Sequence, residues 1–170
     1  MTIPLLSINV YEGTSMGNWG IRALQSDEGL DVLDRMREIL ADRTDVRMAD
    51  FLERLRSEGM LPGGAGSTDV SFLYDKCATA TTELLFEFRE KGHLDYDDGG
   101  FRKLRSFTAG AEELEYLLHM LQDIRAGKPG RRGFREYTNI SLAGPGADEW
   151  RAHMDDLIGK LSEALDAAKP

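Results

Sequence analysis

The chain has 170 residues, of which 41% are hydrophobic, 8% aromatic and 30% charged. That length fits one domain, and that balance excludes a disordered, collagen-like or membrane class. Lys and Arg total 21 against 30 Asp and Glu; the net charge of −9 argues against generic nucleic-acid binding, which needs clustered cations.

Residues 1–15 stand apart from the rest. Ile3, Leu5, Ile8 and Val10 recur with a rough period of two, as in a short strand; the segment also reads as an extension upstream of a natural start at Met16. It lacks the basic region of a signal peptide, and no run approaches the ~18 apolar residues of a membrane span, so a cytoplasmic location is expected. Residues 16–170 then form the domain proper.

Residues 16–26 read as a turn, with Gly17 and Gly20 around Trp19. Ser26 is a good N-cap for a helix over 27–41, whose stripe is Val32, Leu33, Met36, Ile39 and Leu40. Thr44 caps a shorter helix over 45–58, with Met48, Phe51, Leu52 and Leu55 on its apolar side and Gly59 past its end. LPGGAGSTD (61–69) is a loop; no lysine follows its glycines, which excludes a P-loop.

The longest helical pattern runs over 68–91 and is the candidate central helix. Its three threonines, Thr79, Thr81 and Thr82, lower intrinsic propensity, so packing must hold it. An acidic loop (92–100) and a short helical turn at 101–107 precede a clear helix over 111–126, stopped by Gly127 and Pro129. Residues 127–146 are irregular, with a short strand expected around 135–142 from its Tyr, Thr and Ile. The final helix covers 147–167 on Trp150, Met154, Leu157, Leu161 and Leu165. The sum is a mainly α, compact single-domain bundle of four to five helices, with minor strand at most near the N-terminus and around 135–142.

Motifs for chemistry are sparse. The single cysteine, Cys77, lies in the central helical pattern and reads as a buried thiol; one cysteine makes neither an intrachain disulfide nor a Cys-based zinc site. His119 shares a helix face with Glu115, but that face points to solvent; His153 borders an apolar stripe; His93 sits in a helix-ending turn. No HExxH occurs. The DYDDGG run starting at Asp95 lacks the fifth and twelfth ligands of an EF-hand loop. There is no GxSxG elbow. The cations gather in two groups, Arg102, Lys103 and Arg105, and then Lys128, Arg131, Arg132 and Arg135 around Phe134; such a patch on an acidic chain can dock an acidic partner.

Met16, Gly17, Trp19, Gly20, Ser26, Asp27, Gly29, Leu30 and Asp31 resemble the opening of a family of small bacterial proteins, a domain of unknown function, that begins Met-Gly-x-Trp-Gly. LDYDD (94–98) and the helix around Trp150 to Leu161 are similar to its longer members, so the resemblance spans about 16–165, with only its first twenty residues specific. It implies a small, mostly cytoplasmic bacterial protein and supplies no catalytic residue; the lead before Met16 is the departure from it.

The leading expectation is a non-catalytic protein-interaction module, comparable to toxin-immunity proteins. Its candidate interaction residues are Trp19, Asp27, Asp31, Asp95, Asp97, Arg131, Arg132 and Arg135. The rival is a metal-dependent or acid–base enzyme whose acidic site forms where Trp19, Asp27, Asp31, Asp95 and Asp97 converge. A third reading is a regulator holding a small ligand in an apolar pocket. No catalytic residue, metal ligand or cofactor is assigned. The expected partner is another protein, with neither nucleic acid nor membrane, and the oligomeric state is left open.

Overall fold

The computed structural model describes residues 20–63, 70–96 and 99–169. Among them the chain is mainly helical, with one two-stranded parallel sheet. The order is α1 (Asp27–Leu40), β1 (Asp45–Arg47), α2 (Met48–Ser57), α3 (Phe72–Lys91), a 3-10 turn (Gly100–Lys103), β2 (Ser106–Thr108), α4 (Ala111–Ala126), α5 (Glu136–Ala143) and α6 (Ala147–Ala168). None of the described helices is long and apolar enough to cross a membrane.

α3 is the axis of the bundle. It contacts α1, α4, α5, α6 and β2, while α4 and α6 lie along each other. Every residue from Asp75 to Phe86 is buried. A helix buried on all sides usually carries apolar residues all round; this one carries Asp75, Lys76, Thr79, Thr81, Thr82 and Glu83 in the interior. The three threonine hydroxyls donate to carbonyls one turn back, Asp75, Cys77 and Ala78, at 2.7–2.9 Å, which removes their need for outside partners. Ser71 caps the helix by accepting from the Tyr74 N–H, so α3 starts at Phe72 rather than at 68. Gly92 ends it at φ 78°, a left-handed angle that glycine adopts without strain.

Three other expectations are corrected. The helix expected from 45 begins at Met48, because Val46 faces Phe107 across a parallel ladder and is buried while Asp45 and Arg47 point outward. The helical turn expected over 101–107 splits into the 3-10 turn and β2. The strand expected around 135–142 is α5: Tyr137 and Thr138 are buried on one side, Ser141 Oγ donates to the Tyr137 carbonyl, and among the described residues no strand lies alongside to offer a ladder. Local β propensity yields there to burial of the Tyr137 ring, which meets Phe72 and Trp150 edge-on at 5.8 and 5.7 Å. The strand or extension read in 1–15 lies outside the described residues.

The entry to α1 is tightly built. Ser26 Oγ donates to the Ala23 carbonyl at 2.6 Å and accepts from the Gly29 N–H at 3.3 Å. A Cβ on Gly29 would lie 2.1 Å from the Ala23 carbonyl oxygen and 2.5 Å from Leu24 Cα. Backbone cannot swing aside as a side chain can, so Gly29→Ala is expected to destabilise by about 2–4 kcal/mol in urea unfolding. Leu30→Ala, an exposed change one residue on, is the control and should shift stability by less than about 0.5 kcal/mol.

Candidate functional site

The chemistry of the molecule lies along α3. At its middle, the Glu83 carboxylate is buried and accepts three hydrogen bonds. Oε2 takes the Ala23 N–H at 2.8 Å, Oε1 takes the Leu24 N–H at 2.8 Å, and His153 Nε2 of α6 lies 2.7 Å from Oε2. One turn on, Glu87 accepts from Arg22 at 3.0 Å and from the Tyr96 hydroxyl at 2.6 Å. Burial and the Glu87 charge raise the Tyr96 phenol above its ordinary range. A cavity of about 210 Å³ opens beside this group, bordered by Glu83, Glu87, Glu90, His153 and Lys160. Its charges are paired with one another: Lys160 Nζ bridges Glu90 at 2.6 Å and Asp156 at 3.1 Å.

Towards the N-terminus of α3 lies a second polar group. Arg135 Nη1 donates to Asp75 Oδ1 at 2.7 Å, and Arg135 Nε donates to the Lys128 carbonyl at 2.7 Å. Both side chains are almost fully enclosed, with 6% and 2% exposed. Asp75 Oδ2 is buried and has no hydrogen-bond partner among the described residues. Burial pushes the Asp75 carboxyl up to about 6, against the opposing pull of Arg135. Beside it, the Lys76 ammonium lies 3.6 Å from Glu28 and over the rings of Phe72 and Tyr137. Burial lowers the Lys76 pKa, opposed by Glu28. Burial, with Asp31 and Glu28 adding to it, pushes the Cys77 thiol up to about 12, which leaves it protonated and unreactive at neutral pH.

The residues singled out in the sequence are distributed as follows. Asp27 and Asp31 are exposed on the first turns of α1; burial and then Asp34 raise the Asp31 carboxyl. Asp95 is paired with His93 at 2.8 Å and Arg102 at 2.6 Å. Trp19 and Asp97 lie outside the described residues. Arg131 and Arg132 are exposed on the 127–135 loop. Arg135 belongs to the interior: a buried carboxylate from α3 draws its guanidinium in, so it does not share the exposed patch. His119 is exposed, and His153 reaches into the bundle to Glu83. Among the described residues no group of three or more His, Cys, Asp and Glu is placed to hold a metal ion.

No protein-family model, curated protein or solved structure matches the chain. The site is therefore read from its own geometry.

Asp75, Glu83 and Lys76 were not singled out by the sequence reading. Asp75, Thr79, Glu83 and Glu87 recur every four residues, a polar row down one side of the helix. Such a row on an isolated helix would face water; only the number of partners packed on α3 turns it inward.

The 127–135 loop is held in shape. The Lys128 N–H donates to the Asp123 carbonyl at 2.9 Å, Gly130 to the Phe134 carbonyl at 3.3 Å, and Gly133 to the Gly130 carbonyl at 3.0 Å. A Cβ on Gly130 would lie 2.8 Å from Val70 Cβ, so the loop seats directly on the segment leading into α3. Arg132 stacks 5.0 Å over Phe134, which is 40% exposed. Together with Val70, Ser71, Phe72, Gly130, Arg131 and Glu136 these two border a groove of about 290 Å³.

Two outcomes follow. Glu83→Gln leaves an amide N–H₂ facing a backbone N–H, so it is expected to cost about 2–4 kcal/mol by urea unfolding, whereas exposed Glu90→Gln should change little. For Asp75, the folded-state value of about 6 lies above the ordinary 3.8, so the folded chain binds the extra proton between these values. Stability relative to Asp75→Asn therefore falls as pH rises from about 4 to about 6, by at most about 1.4 kcal/mol per pH unit, and is level above that window. Paired urea titrations of the wild type and Asp75→Asn at several pH values read this difference; a rising or flat difference contradicts it.

Proposed function

We propose that the protein is a cytoplasmic, non-catalytic interaction module that docks an acidic segment of another protein on its 127–135 loop. The observation that carries this reading is the exposed trio Arg131, Arg132 and Phe134, presented beside a groove by a loop that Arg135 fastens to α3 from inside. Two guanidinium groups supply bidentate donors to carboxylates, and an aromatic ring under one of them supplies apolar contact area. A loop already ordered by three backbone hydrogen bonds and a buried ion pair loses little conformational freedom on docking.

The charge arrangement supports the same reading. On a chain of net charge −9, an exposed basic loop is a local exception, and the surrounding negative field orients an approaching acidic partner towards it. The test is cross-linked co-purification from the native host with the wild type and with Arg131→Glu/Arg132→Glu, followed by titration of the recovered partner. A stoichiometric partner is expected whose affinity falls at least about tenfold in the double variant and weakens with added salt, while the unfolding midpoint is unchanged. Equal recovery by both chains, or none by either, overturns the reading.

A further inference from the structure

We infer that the groove beside the basic loop takes one large apolar side chain of the partner. The docked segment is then an extended peptide with a single Leu, Met or aromatic anchor close to its Asp or Glu residues. The inference rests on the reading of the 127–135 loop as a docking surface and names the part of the partner that this reading leaves open.

Charge alone is a weak recognition element at this site. Arg132 is exposed. An exposed ion pair contributes little, because both groups stay hydrated and salt screens them. The Arg132 guanidinium is also stacked over the Phe134 ring, 5.0 Å from its centre. Glu136, exposed at the start of α5, borders the same groove, so a segment acidic throughout meets a like charge there. A specific partner therefore needs an apolar contribution as well.

The groove supplies it. Val70, Phe72 and Phe134 border it. Phe72 is the first residue of α3, behind the Ser71 cap; Tyr137 meets its ring edge-on at 5.8 Å and the Lys76 ammonium lies 5.2 Å from its centre. Phe134 is 40% exposed, so water covers ring surface that an apolar side chain can cover instead. The loop seats on Val70 so closely that Gly130 has no room for a Cβ, and the groove keeps its shape without a partner. A site formed in advance loses little conformational freedom on binding.

Its size selects the conformation. A volume of about 290 Å³ lies at the low end for binding sites and suits one large side chain. A docked helix instead needs a row of anchors at i, i+3 or i+4, and i+7. An extended segment advances about 3.3 Å per residue, so a carboxylate one or two positions from the anchor lies within reach of Arg132, which borders the same groove.

The experiment is selection from a displayed library of random nonapeptides on the full chain, followed by fluorescence anisotropy of the most enriched peptide. Enriched peptides are expected to share one large apolar residue with Asp or Glu within two positions of it, and the leading one to bind with a dissociation constant below about 100 μM. Replacing its apolar residue by Ser, or Phe134→Ser in the protein, is expected to weaken binding about tenfold or more at any salt concentration. Arg132→Gln is expected to weaken it about threefold at low salt and less at high salt. Both protein substitutions fall on exposed side chains, so the unfolding midpoint should not move. The inference is overturned if no peptide is enriched, if the enriched peptides are acidic without an apolar anchor or apolar without acids, or if Phe134→Ser binds unchanged. Acidic peptides selected without an anchor would strike this inference and leave acidic docking intact, while docking itself is decided by co-purification with Arg131→Glu/Arg132→Glu.

Discussion

One buried carboxylate, Glu83, ties together three parts of the chain that are far apart in sequence. Two of its donors are the backbone N–H groups of Ala23 and Leu24, some sixty residues before it, and the third is His153, seventy residues after it. A carboxylate taken out of water is stable only when its lone pairs are met, so the bundle closes in the one arrangement that brings all three donors to it. The turn held by Glu83 is the turn that places the Ala23 carbonyl against Ser26, and Ser26 sets the first turn of α1. Gly29 is then required because α1 leaves that turn with its backbone almost touching the chain it has just passed. A single buried side chain thus fixes the direction of the first helix, and through α1 the position of α2 and the sheet edge at β1.

The same helix sets the surface. Seven or eight residues before Glu83, Lys76 and Asp75 do for α5 and the basic loop what Glu83 does for α1. Arg135 bridges the Lys128 carbonyl and Asp75, which closes the loop on itself and fastens it to α3 in one step. Lys76 fills the space between Phe72 and Tyr137 as a cation over two rings, and Tyr137 Oη accepts from Trp150 Nε1 at 3.3 Å, which carries the order to α6. Replacing such pairs by apolar residues often costs nothing in stability; what the charged version adds is a defined register for each neighbouring element.

Much of the fold was legible in the sequence because its helices follow ordinary rules. The apolar stripes of α1, α2, α4 and α6, the Ser26 cap and the left-handed Gly92 and Gly127 all act locally, and all lie where pattern and capping put them. The misses share one cause. α5 carries strand-forming residues, yet its fate depends on whether Tyr137 finds Phe72 and Trp150, residues it cannot sense locally. β1 and β2 are three residues each and exist only because Val46 and Phe107 meet across sixty positions. The candidate site was less legible still. Arg135 looked like one more surface cation in RRGFR, and nothing in that run separates it from Arg131 and Arg132; the distinction is made by Asp75 on another helix. The acids that did draw attention, Asp27 and Asp31 at a helix start and Asp95 in a loop, are exposed at places where helix dipoles and short-range pairing account for them.

Why the loop is anchored by an ion pair and not by an apolar side chain follows from what the loop must present. A leucine at 135 would fix how deeply the segment sits but would leave it free to rotate about its own axis. A guanidinium has a planar fork with several donors, so one Arg satisfying both a carboxylate and a carbonyl fixes orientation as well as depth. Orientation decides which way Arg131 and Arg132 point, and with them the Phe134 ring under Arg132. The exposed basic face and the buried ion pair are therefore two sides of one contact, and a change at Arg135 reaches the loop surface through it.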